Sequence, residues 1–358
     1  MAFSKEILVN GHPISYNDPT YFIADIGANH DGDLERAKDL IFLAKEAGAD
    51  VAKFQHFLAE KIVSDFGFKA MGDQVSHQSG WKKSVFDIYK QYECNRDWTD
   101  ELIKTAKVAG IEFMTSPYDF SAIDALDDHL PAYKIGSGDV TWISFIEHIA
   151  KQNKPVFLAT GACDMDDVNR AVAAITKHNQ DIVLMQCNTN YTGSLENFKY
   201  INLNVLKTYQ KHFPGIILGL SDHSPGHSSV LGAISMGARV IEKHFTDDTS
   251  RIGPDHAFAM DPKTWREMVD RSRELEHAFG DGIKRIEDNE KDTVIVQRRC
   301  IRLKHDMNQG SVITMDDLDV LRPAPRDAYP PYKVGEVLGK SLRVSKSAGD
   351  YLNIKDVG

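Results

Sequence analysis

The stretch Ile216-Ile217-Leu218-Gly219-Leu220-Ser221-Asp222-His223 begins as an unbroken apolar run and ends in polar residues, the last a histidine. A second stretch, Ala238-Arg239-Val240-Ile241-Glu242-Lys243-His244-Phe245, also reaches a histidine at its end. Continuous rather than alternating hydrophobicity is expected of strands buried on both faces of a parallel sheet. A side chain just past such a strand sits at the rim of the sheet, where groups from several strands converge. Two histidines on consecutive strand ends predict a divalent-metal site.

Six more runs of this kind precede them: Tyr21–Ala28, Asp50–Gln55, Gly110–Pro117, Ala132–Gly138, Pro155–Gly161 and Ile182–Asn188. Helical patterns lie between. Asp33 is placed to cap a helix over Leu34–Ala47 whose apolar residues Ala37, Leu40, Ile41 and Ala44 step by three and four, with Gly48 as its stop. Asp261-Pro262 opens another, with Trp265, Met268, Val269, Leu275 and Phe279 on one face and Gly280 at its end. Eight strand–helix alternations predict a (β/α)8 TIM barrel. A doubly wound open sheet is the competitor, but it gathers ligands at one switch point, whereas all eight runs end in polar, chemistry-capable residues. The connection from His56 to about Asp97, which includes Ser76-His77-Gln78-Ser79-Gly80-Trp81, is long for a compact domain. It reads equally as a lid, binding loop or oligomer contact and as a plain surface insertion. After Gly282 the pattern changes. A charged, linker-like stretch leads to short strands expected at 301–303, 310–314 and 320–325. The expected organisation is a barrel over 1–283, a linker over 284–297 and a small β-rich domain over 298–358.

The 358 residues carry a formal net charge of −10, which argues against nucleic acid or an anionic membrane as partner. A locally basic pocket for a small anion is compatible with it. The four cysteines form no CxxC pair, so reduced thiols and a cytoplasmic location are expected. Met1–Asn10 has no signal-peptide pattern, and no apolar run is long enough to span a membrane.

In a barrel, the run ends face one mouth. Lys53 and Lys134 lie in apolar strands, a costly position unless each meets an anion or forms an imine. With Ser116, Thr160 and the Gly136-Ser137-Gly138 turn, they read as a cradle for a phosphate and a carboxylate. The alternative for either lysine is a salt bridge inside the barrel, with Asp25 or Glu242. His223 and His244 suit Mn²⁺, Zn²⁺ or Fe²⁺, or act as hydrogen-bonded acid/base groups without metal. Asp25, Asp222, Glu242, Asp247 and Asp255 are candidates for further ligands or proton transfer, and His30 and His256 could join them.

These residues stand in longer motifs. IADIGANHDGD (23–33), GADVAKFQ (48–55), YKIGSGD (133–139), GLSDHSPG (219–226), GARVIEKHFT (237–246), GPDH (253–256) and GSVITMDDLDVLRP (310–323) together resemble the sialic acid synthase family. The resemblance covers nearly the whole chain, and the last motif is similar to the antifreeze-like (SAF) domain. It implies condensation of phosphoenolpyruvate with an N-acetylated hexosamine such as N-acetylmannosamine, a divalent metal, commonly Mn²⁺, on His223 and His244, and a domain-swapped homodimer. By position it implies phosphoenolpyruvate contacts at Lys53, Lys134, Ser137 and Ser221, and a sugar pocket at Tyr191 and Asp255. Arg322 matches an arginine reaching a partner subunit's sugar. Asn188 and Asn190 compete for one amide contact. The chain departs from the family in having Asp25 in place of the usual Glu and Ala159 in place of Ser. Legionaminate- or pseudaminate-type substrates, a Schiff-base aldolase using Lys53 or Lys134, and a non-catalytic sugar-binding barrel are the competing expectations.

Overall fold

The computed structural model of the chain describes residues 3–72, 78 and 81–358, so most of Ser76–Gly80 lies outside the described residues. Two compact units result, Met1–Phe279 and Gly280–Gly358.

In the first unit the eight apolar runs are eight parallel strands: β1 Tyr21–Asp25, β2 Val51–His56, β3 Glu112–Pro117, β4 Tyr133–Ile135, β5 Val156–Ala159, β6 Ile182–Cys187, β7 Ile217–Asp222 and β8 Ala238–His244. The pairing order is β3-β2-β1-β8-β7-β6-β5-β4. Pairing of β8 with β1, from Val240 opposite Tyr21 to His244 opposite Asp25, makes the sheet a barrel rather than an open sheet. The three-residue β4 lies beside β3 at the one seam where no ladder forms.

Side chains alternate along each strand. Tyr21, Ile23, Val51, Met114, Phe157, Val183, Met185, Ile217 and Val240 fill the barrel's interior. The opposite parity packs on the helices in a larger shell. A hairpin pairing Glu6–Val9 with His12–Ser15 adds Ile7, Val9 and Ile14 to the interior cluster. Its turn, Asn10-Gly11, has positive φ at both residues, as a type I′ turn requires.

Helix Leu34–Glu46 starts where expected, with the Asp33 side chain accepting from Arg36 N–H. Helix Pro262–Ala278 is capped by Asp261 and buries Trp265, Met268 and Val269. Phe279 departs from expectation: it follows the last helical residue and is 42% exposed. The long connection folds into the short helices Ala59–Ile62, Asp65–Ala70 and Val85–Gln91.

In the second unit, Cys300–Leu303 pairs antiparallel with Leu318–Leu321 around a core including Ile301, Leu303, Ile313, Leu352 and Val357. The strand expected at 310–314 is replaced by a single bridge, Val312 to Ser341. The charged stretch read as a linker holds the helix Lys291–Gln297. All four cysteines are free. Among the described residues, no helix is long and apolar enough to cross a membrane.

His56, at the end of β2, faces away from the barrel interior. Its ring is buried between the hydroxyls of Thr115 (2.8 Å) and Thr99 (3.1 Å). Burial pushes its pKa down to about 4, with Arg96 adding to the effect. Between about pH 6.5 and pH 4 the unfolded chain binds a proton there that the folded chain does not, so stability falls as the pH is lowered through that window. The loss is on the order of 3 kcal/mol and levels off below about pH 4. Urea unfolding at pH 7 and pH 4.5 checks this: His56→Gln should remove close to one proton from the pH slope, and an unchanged slope refutes it.

Candidate active site

The barrel's register brings its polar strand ends into one row. His244 lies opposite Asp25, Asp25 opposite Lys53, and Gln55 opposite Ser116. All have the inward parity. They line a cavity of about 240 Å³ at the C-terminal ends of the strands, together with Lys134, Gly136–Gly138, Cys187, Tyr191, Ser221, His223, Glu242 and Asp255. An apolar wall comes largely from the long connection: Phe57, Ile62, Trp81, Ile88, Tyr89 and Tyr92.

Both lysines are paired. Lys53 Nζ is 2.8 Å from Asp25 Oδ2 and 3.4 Å from Ser116 Oγ. Lys134 Nζ is 3.3 Å from Glu242 Oε1. The intrabarrel ion pairs that the sequence offered as alternatives therefore form, and they do so in the cavity wall. Asp25 also accepts from Gln55 (3.0 Å) and from Gly27 N–H (3.1 Å). Burial alone would raise its pKa, but Lys53, His244 and Gln55 hold it below the usual carboxylate range. Burial opposes the charged form of Lys53, yet Asp25 and Glu242 hold its pKa above the usual lysine value. Ser137 Oγ accepts from Gly161 N–H at 2.9 Å, which leaves its own O–H to donate. Ser221 Oγ donates to Glu242 at 3.1 Å, and Glu242 Oε2 is buried without a partner among the described residues.

The two imidazoles are neighbours, with ring centroids 5.4 Å apart. His223 Nδ1 donates to the Asn188 carbonyl at 2.9 Å, which fixes the tautomer and leaves Nε2 as the lone pair. Against the opposing effect of burial, the Cys187 thiol and that carbonyl raise the His223 pKa. Burial lowers that of His244, despite Asp25 and Asp255 nearby. His244 Nδ1 is buried without a hydrogen bond and lies 3.5 Å from Asp255 Oδ2. Tyr191 packs on His223 at 4.3 Å between centroids. Asp255 is placed by Ala28 N–H, which donates to it at 3.0 Å. Gly27 is required here: at φ +51° it brings the chain so close that a Cβ would lie 2.7 Å from Asp255 Oδ2 and 3.1 Å from His244. Two buried imidazoles, one held by a carbonyl and the other with an orphaned buried nitrogen, fit a divalent transition metal. Among the described residues, no group of three or more His, Cys, Asp or Glu could hold a metal ion. Protein donors beyond the two rings would have to come from elsewhere, or from water and substrate.

Several candidates stand elsewhere. Thr160 does not line the cavity. Its hydroxyl donates to the Met185 carbonyl (2.9 Å) and meets the Tyr209 hydroxyl (2.8 Å) on the helix side of the wall. The Asn188 side chain turns to the Tyr200 carbonyl (3.3 Å), so this residue acts on the site through its backbone. Asn190 bonds within its own loop, to Thr192 and Asn197. Asp222 is outside the cavity, bound to Lys243 (2.5 Å), Ser224 and Ser229. Asp247 pairs with Arg36, and His256 bridges Asp31 and Thr246. His30 accepts from Gly32 N–H. Arg322 belongs to the second unit, where it follows strand Leu318–Leu321 and is exposed. Cys187 and Tyr118 line the cavity, although neither was a candidate from the sequence.

A nearly closed (β/α)8 barrel with paired lysines, a Gly-Ser-Gly turn and two neighbouring imidazoles at its C-terminal mouth has the architecture of the barrel enzymes, whose sites lie at that end. The chain is a member of the NeuB family, which it matches over residues 40–284, and residues 298–358 match the SAF domain. It is 34% identical over 338 residues to the N,N'-diacetyllegionaminic acid synthase of Legionella pneumophila, covering 93% of each chain. It is 31% identical over 344 residues to the human N-acetylneuraminate-9-phosphate synthase, covering 96% of this chain and 94% of that one. The crystal structure of N-acetylneuraminic acid synthetase from Leptospira borgpetersenii superposes with a TM-score of 0.70 at 26% identity, over 82% of this chain and 96% of that one.

Proposed function

We propose that this protein condenses phosphoenolpyruvate with the aldehyde of an N-acetylated hexosamine, giving a nine-carbon 2-keto sugar acid and inorganic phosphate. The observation that carries the reading is the row His244–Asp25–Lys53 across three adjacent strands, with Lys134 and Ser137 on the same cavity, in a NeuB-family chain. C3 of phosphoenolpyruvate attacks the aldehyde carbon, and the aldehyde oxygen takes a proton. Water adds at C2 and loses a proton. The C2–O bond to phosphate then breaks, the proton of the C2 hydroxyl leaves with the phosphate, and the ketone remains. Lys53 and Lys134 hold the carboxylate and phosphate, and stabilise charge on the departing phosphate. Ser137 and Ser221 position the same anion. Asp25, held ionised, accepts the proton of the C2 water. Tyr191 and Asp255 orient the sugar. A divalent ion on His223 and His244, with Mn²⁺ the leading choice, supplies Lewis acidity when bound. On resemblance alone, Arg322 is assigned to a partner subunit's sugar pocket in a domain-swapped homodimer.

N-acetylmannosamine is the leading acceptor. A diacetamido-trideoxyhexose is the second reading, supported by the Legionella relative's name and by the apolar wall of Phe57, Ile62, Trp81 and Ile88, which suits deoxy and acylated carbons. Incubation with Mn²⁺, phosphoenolpyruvate and a panel of 2-acetamido sugars, with products identified by mass, tests both. A single sugar is expected to release phosphate far faster than the others. No release with any member of the panel, or a borohydride-trapped adduct on Lys53 or Lys134, overturns the condensation.

A further inference from the structure

Tyr118 follows β3 and extends its ladder by one bond, its N–H donating to the His56 carbonyl. It has the parity of Met114 and Ser116, which point into the barrel, and it lines the cavity. The hydroxyl lies 3.3 Å from where a Cβ of Gly136 would stand, so the missing side chain at Gly136 is what admits the phenol. The ring is held by Phe57 in an edge contact, with centroids 6.0 Å apart. Among the described residues the hydroxyl has no hydrogen-bond partner, whereas neighbouring polar groups such as Asp25, Lys53, Ser137 and Ser221 are all engaged.

We propose that Tyr118 is a substrate-binding residue whose phenol O–H donates to a phosphate oxygen of phosphoenolpyruvate held at the Gly136-Ser137-Gly138 turn, an inference that rests on the condensation reading above. A phenol suits this place. It donates without adding charge beside Lys134 and Glu242, and it has no conformational search to make because Phe57 and Gly136 fix its ring. Burial, with Asp139 and Asp25 nearby, pushes its pKa well above that of free tyrosine, so it remains a donor at every working pH.

Tyr118→Phe keeps the ring and its contact with Phe57, so the melting temperature should not change. A hydrogen bond to a charged group is lost, which should raise the KM for phosphoenolpyruvate about 10- to 100-fold. The sugar KM should stay unchanged and kcat should stay within about threefold. Calorimetric titration of the Mn²⁺-loaded enzyme with phosphoenolpyruvate, without sugar, should show the same loss in Kd. An unchanged phosphoenolpyruvate KM and Kd overturns the assignment, as does a rise confined to the sugar KM or shared equally by both substrates. Wild-type enzyme that releases no phosphate from phosphoenolpyruvate with any sugar overturns the condensation reading, and Tyr118's role with it.

Discussion

Exhaustive chelation is expected to lower phosphate release from phosphoenolpyruvate by roughly a thousandfold or more, and Mn²⁺ to restore it. The argument is one of charge. Apart from its two imidazoles, the cavity's formal charges are Lys53 and Lys134 against Asp25, Glu242 and Asp255, a net of one negative. Each lysine already has a carboxylate at 2.8 or 3.3 Å. Phosphoenolpyruvate brings two further anionic groups into a site partly closed to water. Additional positive charge would favour that binding, and the neighbouring rings of His223 and His244 are the imidazoles placed to hold it. His223→Ala should reproduce the chelated state without being rescued by Mn²⁺. Phosphate release followed colorimetrically, with metal content measured on the same samples, gives the answer. Full turnover by metal-free enzyme would falsify the assignment and return the two rings to acid/base roles.

The fold was legible because its strands are buried on both faces. The eight runs are rich in apolar residues rather than strictly alternating, and each became a strand within a few residues of its expected bounds. Which run-end residues enter the site is a matter of parity, a second kind of information. Starting from Val183 and Met185, which fill the interior, every second residue places Cys187 inward and Asn188 outward. The same step from Phe157 places Ala159 inward and Thr160 outward, and from Ile217 it places Ser221 and His223 inward and Asp222 outward. The misplaced candidates, Thr160, Asn188 and Asp222, have the outward parity, and the overlooked Cys187 and Tyr118 the inward one. The Lys243–Asp222 pair, buried on the helix side of β8 and β7, follows the same rule. The hairpin that contributes to the interior cluster was signalled by Asn10-Gly11 between short apolar runs, a turn signal open to reading. The apolar wall was not. Phe57, Ile62, Trp81 and Tyr89 come from short helices and turns whose approach to the mouth depends on tertiary packing, so no local period marks them. Asp255 is likewise placed by long-range bonds, to Ala28 N–H and through His256 to Asp31.

Lys53→Met should both unfold the barrel more easily and stop the reaction, and the two effects should separate. Lys53 is 1% exposed, and its ammonium is the main counter-charge of Asp25. Its removal leaves a buried carboxylate with Gln55 and the Gly27 N–H as hydrogen-bond donors and the His244 ring 3.6 Å away, but without a lysine counter-charge. Breaking a buried pair from one side costs about 3–5 kcal/mol, a large share of the roughly 5–15 kcal/mol that holds a domain folded. In a unit of this size that lowers the melting temperature by about 10 °C. Lys53→Met with Asp25→Asn removes the orphaned charge while keeping the side chain's shape, so it should recover most of the stability. Turnover should not return, because the double variant lacks both the cation assigned to the departing phosphate and the carboxylate assigned to the C2 water. Both variants should remain about 10²- to 10³-fold below wild type in kcat. Recovery of stability together with activity would make Lys53 a structural partner of Asp25 and nothing more. A double variant as unstable as the single one would show that the carboxylate never needed the lysine, and that Lys53 is held in the barrel for the anion alone.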